Sequence, residues 1–441
     1  MAKSVVVVGA GLAGMSCALD LAEAGCRVTV LESNPFLGGR TASWNQDGLE
    51  IESGFHRFLG FYEALPKLLE RAGVKLDDIL CWEDEIEIRV PDGGPSVVLG
   101  FAPLHKPLKT LAGMVTNNDW LTPADKLALG KFFAAAWKDY NDRPLELDES
   151  SVRDYAKAHD VSDRAIHNLL RPLSEIFFLP PERYSMFNLL SLFAPYAARL
   201  PKLRIGAFTG GMSDVIMRPL AEQLAQMGGQ VLTGQEVTEL TLADGRVTGV
   251  KAGQAFAADH VVLAASLAPA QKLITSALAG HAWFKPMLAL PSLPLVTFQI
   301  ELDQPAMPLD RTTFGPGTVL ISFSEESRTS FQQSRGRLSI ILPSDQRFID
   351  MPAEAILELV TKDAKRLGLD LAGHVVDYRK VSLPDDFYSL EPGMAKLRPE
   401  QATPVPGLAL AGDYTRQPYV GTMEGAVVSG TLAAQAVLAE K

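Results

Sequence analysis

No run of eighteen or more apolar residues interrupts the chain, so the sequence offers no membrane-spanning helix. Cysteine is scarce. Cys17, Cys26 and Cys81 are odd in number and fit neither a disulfide framework nor a zinc spacing. Two of them fall in the first strand–helix–strand unit, where they read as small buried thiols in a reducing cytoplasm. Positive charge is short as well: 41 Lys and Arg face 52 Asp and Glu, a net −11. That balance argues against nucleic acid as a partner, since backbone binding needs clustered Lys and Arg. The opening MAKSVVVVGAG does not read as a leader peptide, because its apolar run enters a glycine turn rather than a cleavage site. No metal-ligating cluster stands out.

What remains is a globular composition, 47% hydrophobic and 21% charged over 441 residues. That length exceeds one ordinary core and predicts two domains. The first sixty residues carry the strongest signal. A four-valine strand runs into Gly9-Ala10-Gly11-Leu12-Ala13-Gly14, then an amphipathic helix and a second strand ending at Glu32 and Ser33. Gly9 permits the tight turn, Gly11 lets the backbone approach a pyrophosphate, and Gly14 lets helix and strand pack closely. The helix N-terminus then offers free N–H groups to the anion. A carboxylate at Glu32 holds an adenosine ribose and favours FAD or NAD over NADP.

The residues that follow choose between those two. Gly38, Gly39 and Arg40 come directly after the acid-bearing strand. An NAD domain has no need of them, whereas the longer FAD needs a second loop along its diphosphate. Glu52 to His56 form a polar–glycine turn that places Gly54, Phe55 and His56 as further candidates. His56 is equally readable as a structural histidine or as a neighbour of the flavin.

Beyond residue 81 the pattern changes. EIEIRVPDGGPSVVLGF alternates like two strands around the turn at 91–94. Residues 121–200 read as mainly helical, with Thr122 as a cap and Pro123 at the first helical position. The aromatic run 177–203 holds Phe177, Phe178, Phe187, Phe193 and Tyr196. It reads either as an interior helix or as the lining of a greasy tunnel that dips towards a membrane. In the second case Arg199, Lys202 and Arg204 would meet lipid head groups. Farther on, a strand over Val231–Leu240 offers backbone near Val237 to an adenine, and a tight turn is expected at Asp244-Gly245. The strand ADHVVLAAS brings in Ala265. Strands are also expected in LPLVTFQIEL, GTVLISFS and RLSIILPS, with a helix over 352–367. The acid pairs Asp84-Glu85 and Asp385-Asp386 read as solvated turns.

Near the end, PGLALAGDYT delivers a buried strand, Gly412 and Asp413. The helix that starts at Thr422 aims its N–H groups at whatever lies beyond it. At a flavin that is useful, because the reduced ring carries negative charge. Met423, Glu424, Gly425 and Ala426 complete the cofactor candidates; Gly425 and Ala426 read as small to admit a planar ring, and Glu424 as a brace.

VGAGLAG, Glu32, GGR, ESGFH, AGDYT and MEGAVVSG, in that order, resemble the flavin amine oxidase superfamily, and most closely the plant-type phytoene and ζ-carotene desaturases. The tail GDYTRQPYVGTMEGAVVSG is the most discriminating part, and hydroxysqualene dehydroxylases are similar there too. The resemblance implies an α/β fold: a Rossmann-like FAD-binding domain of the glutathione-reductase and amine-oxidase type, with a mixed α+β substrate domain inserted. The FAD domain is expected over 1–75, 205–265 and 396–441. The substrate domain is expected over 76–204 and 266–395, with its mainly helical part at 105–204. The implied reaction is desaturation of a hydrophobic isoprenoid by hydride transfer to FAD, with a quinone or similar acceptor. The cysteine pattern points to a cytoplasmic protein, and the second reading of 177–203 would place it peripherally on the inner face of a membrane. A hydroxysqualene dehydroxylase-type enzyme, a flavin amine oxidase and a non-catalytic prenyl-lipid binding protein are the alternatives. One departure stands out: Gly210-Gly211-Met212-Ser213-Asp214 replaces an Asn-Pro-Pro-Glu-Arg stretch, so that motif's arginine is missing.

Overall fold

In the computed structural model, which describes residues 2–107 and 117–440, the valine run becomes the middle strand of a parallel sheet. The strands lie in the order Gln230–Leu232, Arg27–Leu31, Ser4–Val8, His260–Leu263, Leu408–Leu410, and every neighbouring pair is parallel. Strands covered on both faces are near-continuously apolar, which is why these runs carry Val, Leu and Ala with little alternation. One cover is the helix Leu12–Glu23, itself packed on the C-terminal helix Met423–Ala439. The approach is close. A Cβ on Gly430 would stand 2.2 Å from the Ala13 carbonyl oxygen, and one on Gly14 2.0 Å from that of Gly9.

The expected strand over Val231–Leu240 is broken. Gln230–Leu232 joins the parallel sheet, Gly234 turns the chain with φ +66°, and Glu239–Ala243 opens a separate antiparallel sheet. The turn at Asp244-Gly245 forms as expected, with φ of +51° and +76°.

The second large sheet has seven strands, ordered Val375–Tyr388, Ser292–Leu302, Gly336–Ile341, Ser322–Glu325, Thr313–Phe314, Glu85–Ile88, Val97–Gly100. The hairpin read in EIEIRVPDGGPSVVLGF is its edge. Of GTVLISFS only the second half is extended, because Gly315 to Thr318 form a turn closed by the Thr318 hydroxyl on the Gly315 carbonyl at 2.7 Å. The 14-residue strand Val375–Tyr388 was not foreseen. The helix of 352–367 is present as Ala353–Arg366. A small sheet, with Ile205–Phe208 between Arg57–Leu59 and Leu80–Glu83, joins the two larger ones through the chain.

The helical part opens with Pro123–Asp142, capped by Thr122, whose hydroxyl accepts the Asp125 N–H at 3.1 Å. Residues 108–116 of the expected helical stretch lie outside the described residues. The aromatic run folds as the helix Met186–Ser191 and the tight 3₁₀ turns of Ala194–Lys202. Tyr184, Leu189 and Tyr196 are fully buried. Two of the three cations set aside for lipid are engaged within the protein: Arg199 pairs with Glu63 and Arg204 with Asp84, each at 3.1 Å. Among the described residues no helix is long and apolar enough to cross a membrane.

Candidate functional site

A cavity of about 1650 Å³ opens at the C-terminal ends of the parallel strands and runs under the seven-stranded sheet into the helical part. Its sheet end is built by two glycine loops set back to back. Gly9 turns with φ +106°, and the helix behind it starts at Leu12 with no side chain capping its first N–H groups. Gly38 and Gly39 turn with φ +123° and +56°, and the Gly38 N–H reaches the Ala10 carbonyl at 3.1 Å. Only glycine fits there: a Cβ on Gly38 would lie 2.7 Å from the Thr41 carbonyl oxygen. Glu32 ties the first turn to the segment that leads towards the second. One oxygen accepts the Ala10 N–H and the other the Asn34 N–H, each at 2.9 Å. Gly9, Gly11, Leu12, Ala13, Glu32, Ser33, Gly38, Gly39, Val237 and Ala265 all reach the cavity wall. Gly14 does not; it lies behind, in the helix–strand contact expected of it.

Farther in, Arg40 forms an ion pair with Asp413, and its guanidinium lies 5.5 Å from the Phe387 ring centre. Gly412 turns with φ +138° and donates its N–H to the Ser429 hydroxyl at 2.9 Å, which fixes the strand end to the C-terminal helix. Thr422 caps that helix by accepting the Gly425 N–H at 3.1 Å. Thr422, Met423 and Ala426 face the cavity. Glu424 and Gly425 do not, which corrects their reading as cofactor contacts. Gly425 is small because a Cβ would stand 2.1 Å from the Tyr419 carbonyl oxygen. Glu424 turns away to the start of another helix, Ala64–Arg71.

On the opposite wall, Gly54, Phe55 and His56 face the cavity. They are held by Arg57, which is buried beneath the Phe55 ring and paired with Glu83 at 2.9 Å and Asp310 at 2.5 Å. From here the cavity becomes apolar, with Ile86, Leu99, Trp120, Leu129, Phe133 and Leu173 along its length. Phe177, Phe178 and Phe193 join that lining. Phe187 and Tyr196 do not: Phe187 stacks on Tyr140 at 5.3 Å, and Tyr196 lies 4.0 Å from Phe61 in the core. Their aromatic character serves packing, not the cavity.

Against known families, the model described as flavin containing amine oxidoreductase matches residues 12–438. The chain belongs to that family. It is an FAD-dependent oxidoreductase. It is 26% identical over 457 residues to the 15-cis-phytoene desaturase of Synechococcus elongatus, covering 99% of this chain and 96% of that one. It is 29% identical over 482 residues to the zeta-carotene desaturase of a Synechocystis species, covering 99% and 97%. Among solved structures, a putrescine oxidase variant superposes with a TM-score of 0.77 at 18% identity, covering 100% of this chain and 99% of that one. An oxidoreductase from Methanosarcina mazei gives 0.75 at 21% identity, with 99% of each chain covered. These two likenesses show the fold.

The residues present fit FAD. Uncapped N–H groups at Leu12 and Ala13 and the glycine pair at Gly38 and Gly39 leave backbone donors where a diphosphate would lie. The volume also exceeds the roughly 300–1,000 Å³ of an ordinary small-molecule pocket, so a dinucleotide and a second ligand can share it.

Two wall groups of this flavin containing amine oxidoreductase titrate away from their ordinary values. Burial pushes His56 down to about 4, with Arg40 and Arg57 adding to the effect, so it is neutral at pH 7. Burial pushes Asp386 up to about 6, against the pull of Arg40 and with a push from Asp413. Asp386 is half-buried, and the cavity is what its open side faces. Sequence reasoning placed the Asp385-Asp386 pair in a solvated turn. The structure instead puts both on the cavity wall, at the end of the unforeseen strand Val375–Tyr388. They lie in the irregularity where the pairing with Ser292–Leu302 skips from Phe387 to Leu383. The departure at Gly210–Asp214 has a structural role. Ser213 exchanges hydrogen bonds with Ser43 and donates its hydroxyl to the Leu37 carbonyl at 2.7 Å, bracing the Gly38–Arg40 loop.

Proposed function

We propose that this enzyme desaturates a long isoprenoid chain, with a carotenoid of the phytoene or ζ-carotene class as substrate. The observation that carries the reading is the continuous apolar arm from Phe55 to Phe133, which leads away from the polar glycine loops. A slender hydrocarbon has no group to hydrogen-bond, so a long apolar wall is what binds it. Two relatives named as phytoene and zeta-carotene desaturases support the same choice.

When bound, FAD supplies a two-electron hydride acceptor. The substrate loses a hydride from one carbon and a proton from its neighbour, and the C=C bond forms as those two C–H bonds break. Gly54, Phe55 and His56 form the wall against which the reacting segment lies. Asp386 takes the proton: it faces the cavity, has no hydrogen-bond partner among the described residues, and is largely ionised at pH 7. Arg40 holds the charge of Asp386 and Asp413 in place. The electrons then pass to an external acceptor of the quinone type, and the hydrophobic substrate is drawn from the surface of a membrane.

One observation favours a second reading. Asp385 and Asp386, beside the Phe178 and Phe387 rings, also make an acidic, aromatic corner suited to an amine. Anaerobic mixing of the FAD-loaded protein with liposomes carrying phytoene or ζ-carotene, and separately with a panel of amines, separates the two. Bleaching of the flavin by the lipids is expected. Bleaching by an amine and by none of the lipids overturns the desaturase reading.

A further inference from the structure

Five non-glycine residues have positive φ among the described ones. Four are aspartates (Asp47, Asp92, Asp160 and Asp244), a residue type that tolerates this region; the fifth is Phe178, at +67°. A bulky side chain in that conformation is strained, and such strain persists only where the surroundings impose it. Phe178 follows the end of the helix Arg171–Glu175. Its N–H donates to the Glu175 carbonyl at 3.0 Å, and Pro180 and Pro181 follow after Leu179. A left-handed residue this soon after a helix is ordinarily glycine. The chain carries a phenylalanine there instead.

The left-handed turn determines where the ring goes. Phe177, one residue earlier, turns to Tyr184, with the rings 5.9 Å apart. Phe177 and Phe178 both reach the cavity wall, and Phe178 stands edge-on to Phe387 at 5.7 Å and 85°. There it packs on the patch formed by Phe55, Leu295, Ile321 and Ile341. The Phe178 carbonyl accepts the Ser344 N–H at 3.1 Å, so the turn is pinned from the far side. The neighbouring rings are themselves closely packed: a Cβ on Gly421 would meet Phe177 at 2.8 Å and Phe387 at 2.9 Å.

We propose that Phe178 is the specificity-determining side chain of the cavity: its ring, aimed by the left-handed backbone, narrows the bore beside Phe55 and Phe387 so that a slender chain is admitted and a ring-ended one refused. The proposal rests on the isoprenoid reading for the natural ligand but not for the width of the bore.

Phe178→Gly removes both the ring and the strain, Phe178→Ala removes the ring alone, and Phe178→Leu keeps part of the bulk. Binding to the FAD-loaded proteins is read from flavin fluorescence with four probes: squalene, hexadecane, retinyl acetate and a cyclohexyl-ended alkane. The wild-type protein is expected to favour the slender probes by about tenfold or more, a normal discrimination for a shaped apolar pocket. Phe178→Gly and Phe178→Ala should bring the two classes within about threefold, with Phe178→Leu between. Thermal unfolding should place Phe178→Gly at or above Phe178→Ala, since only glycine relieves the backbone. A wild-type protein that binds both classes equally, or glycine and alanine variants that keep the preference, overturns the proposal. Discrimination among the alkanes with no squalene binding by any variant leaves Phe178 in its role and sinks the isoprenoid reading instead.

Discussion

Glu424 caps the helix that carries Leu65. Its carboxylate accepts the backbone N–H groups of Glu63, Ala64 and Leu65 at 2.8, 2.8 and 2.9 Å, from 359 to 361 residues away along the chain. The first N–H groups of a helix have no partner within it, and negative charge there is favoured by the helix dipole. The eight-residue helix Ala64–Arg71 has no cap of its own, so the distant carboxylate takes that role. Glu424→Ala leaves three donors short of their acceptor inside the protein. Urea unfolding should show a loss of about 2–4 kcal/mol, with Glu424→Gln losing roughly half of that. Unchanged stability in the alanine variant contradicts the capping role.

A methyl group at Gly430 tests the contact of the two helices that frame the first glycine loop. Gly430→Ala places a Cβ 2.2 Å from the Ala13 carbonyl oxygen and 3.0 Å from the Cys17 nitrogen. Backbone cannot swing aside as a side chain can, so the helices must separate, at a cost of about 1–3 kcal/mol. Because Ala13 lies on the cavity wall, FAD should also be released more easily on dilution. Gly130→Ala is the control. Nothing lies within 4 Å of that site in its helix, and stability should rise by up to about 1 kcal/mol.

Asp386→Asn tests the proton acceptor. In the wild-type enzyme the rate of flavin reduction by the lipid substrate should climb as pH rises through about 6, where Asp386 becomes ionised. The asparagine variant should lose that rise and run roughly 10²–10⁴-fold slower. A variant that keeps both the rate and the inflection removes Asp386 from the chemistry.

Glu175 makes the stability itself depend on pH. One of its oxygens meets Arg171 at 3.1 Å, and the other is buried with no hydrogen-bond partner among the described residues. Burial pushes the group from the ordinary 4.5 to about 8, against the pull of Arg171 and with a push from Glu182. The folded state therefore holds a proton that the unfolded chain has already lost between those two values. Stability falls as pH rises across that window, by at most about 5 kcal/mol, and is flat above it. Glu175→Gln should remove most of the slope and unfold later than wild type at pH 8. A slope of the same size in both proteins would assign it to other groups.

The glycine turn, Glu32, Gly38–Arg40 and Gly412–Asp413 were legible because each is a short local pattern with one geometric purpose, and the parallel strands beside them are plain apolar runs. The rest of the site depends on what packs against what. Aromatic spacing in 177–203 could not say that Phe178 and Phe193 see the cavity while Phe187 and Tyr196 see the core. The strand that brings in Asp386 and Phe387 contains Pro384 and two adjacent acids, and only its pairing with Ser292–Leu302 draws it out. Gly425 was small for a reason invisible in sequence, the Tyr419 carbonyl above it. Phe178 stood out only as one aromatic among several, since nothing in its neighbours announces a left-handed backbone.

The order of strands in the parallel sheet also sets a timetable. Ser4–Val8 and Arg27–Leu31 leave the ribosome early, but the edge of His260–Leu263 is covered only when Leu408–Leu410 arrives. At roughly 5–20 residues per second, about 7–30 seconds pass between the synthesis of Leu263 and that of Leu408. During that interval an apolar strand edge stands open to any other chain able to pair with it. The first loop to be synthesised thus belongs to the last pocket to be completed, and a chain stalled before Leu408 would emerge as a template for self-association.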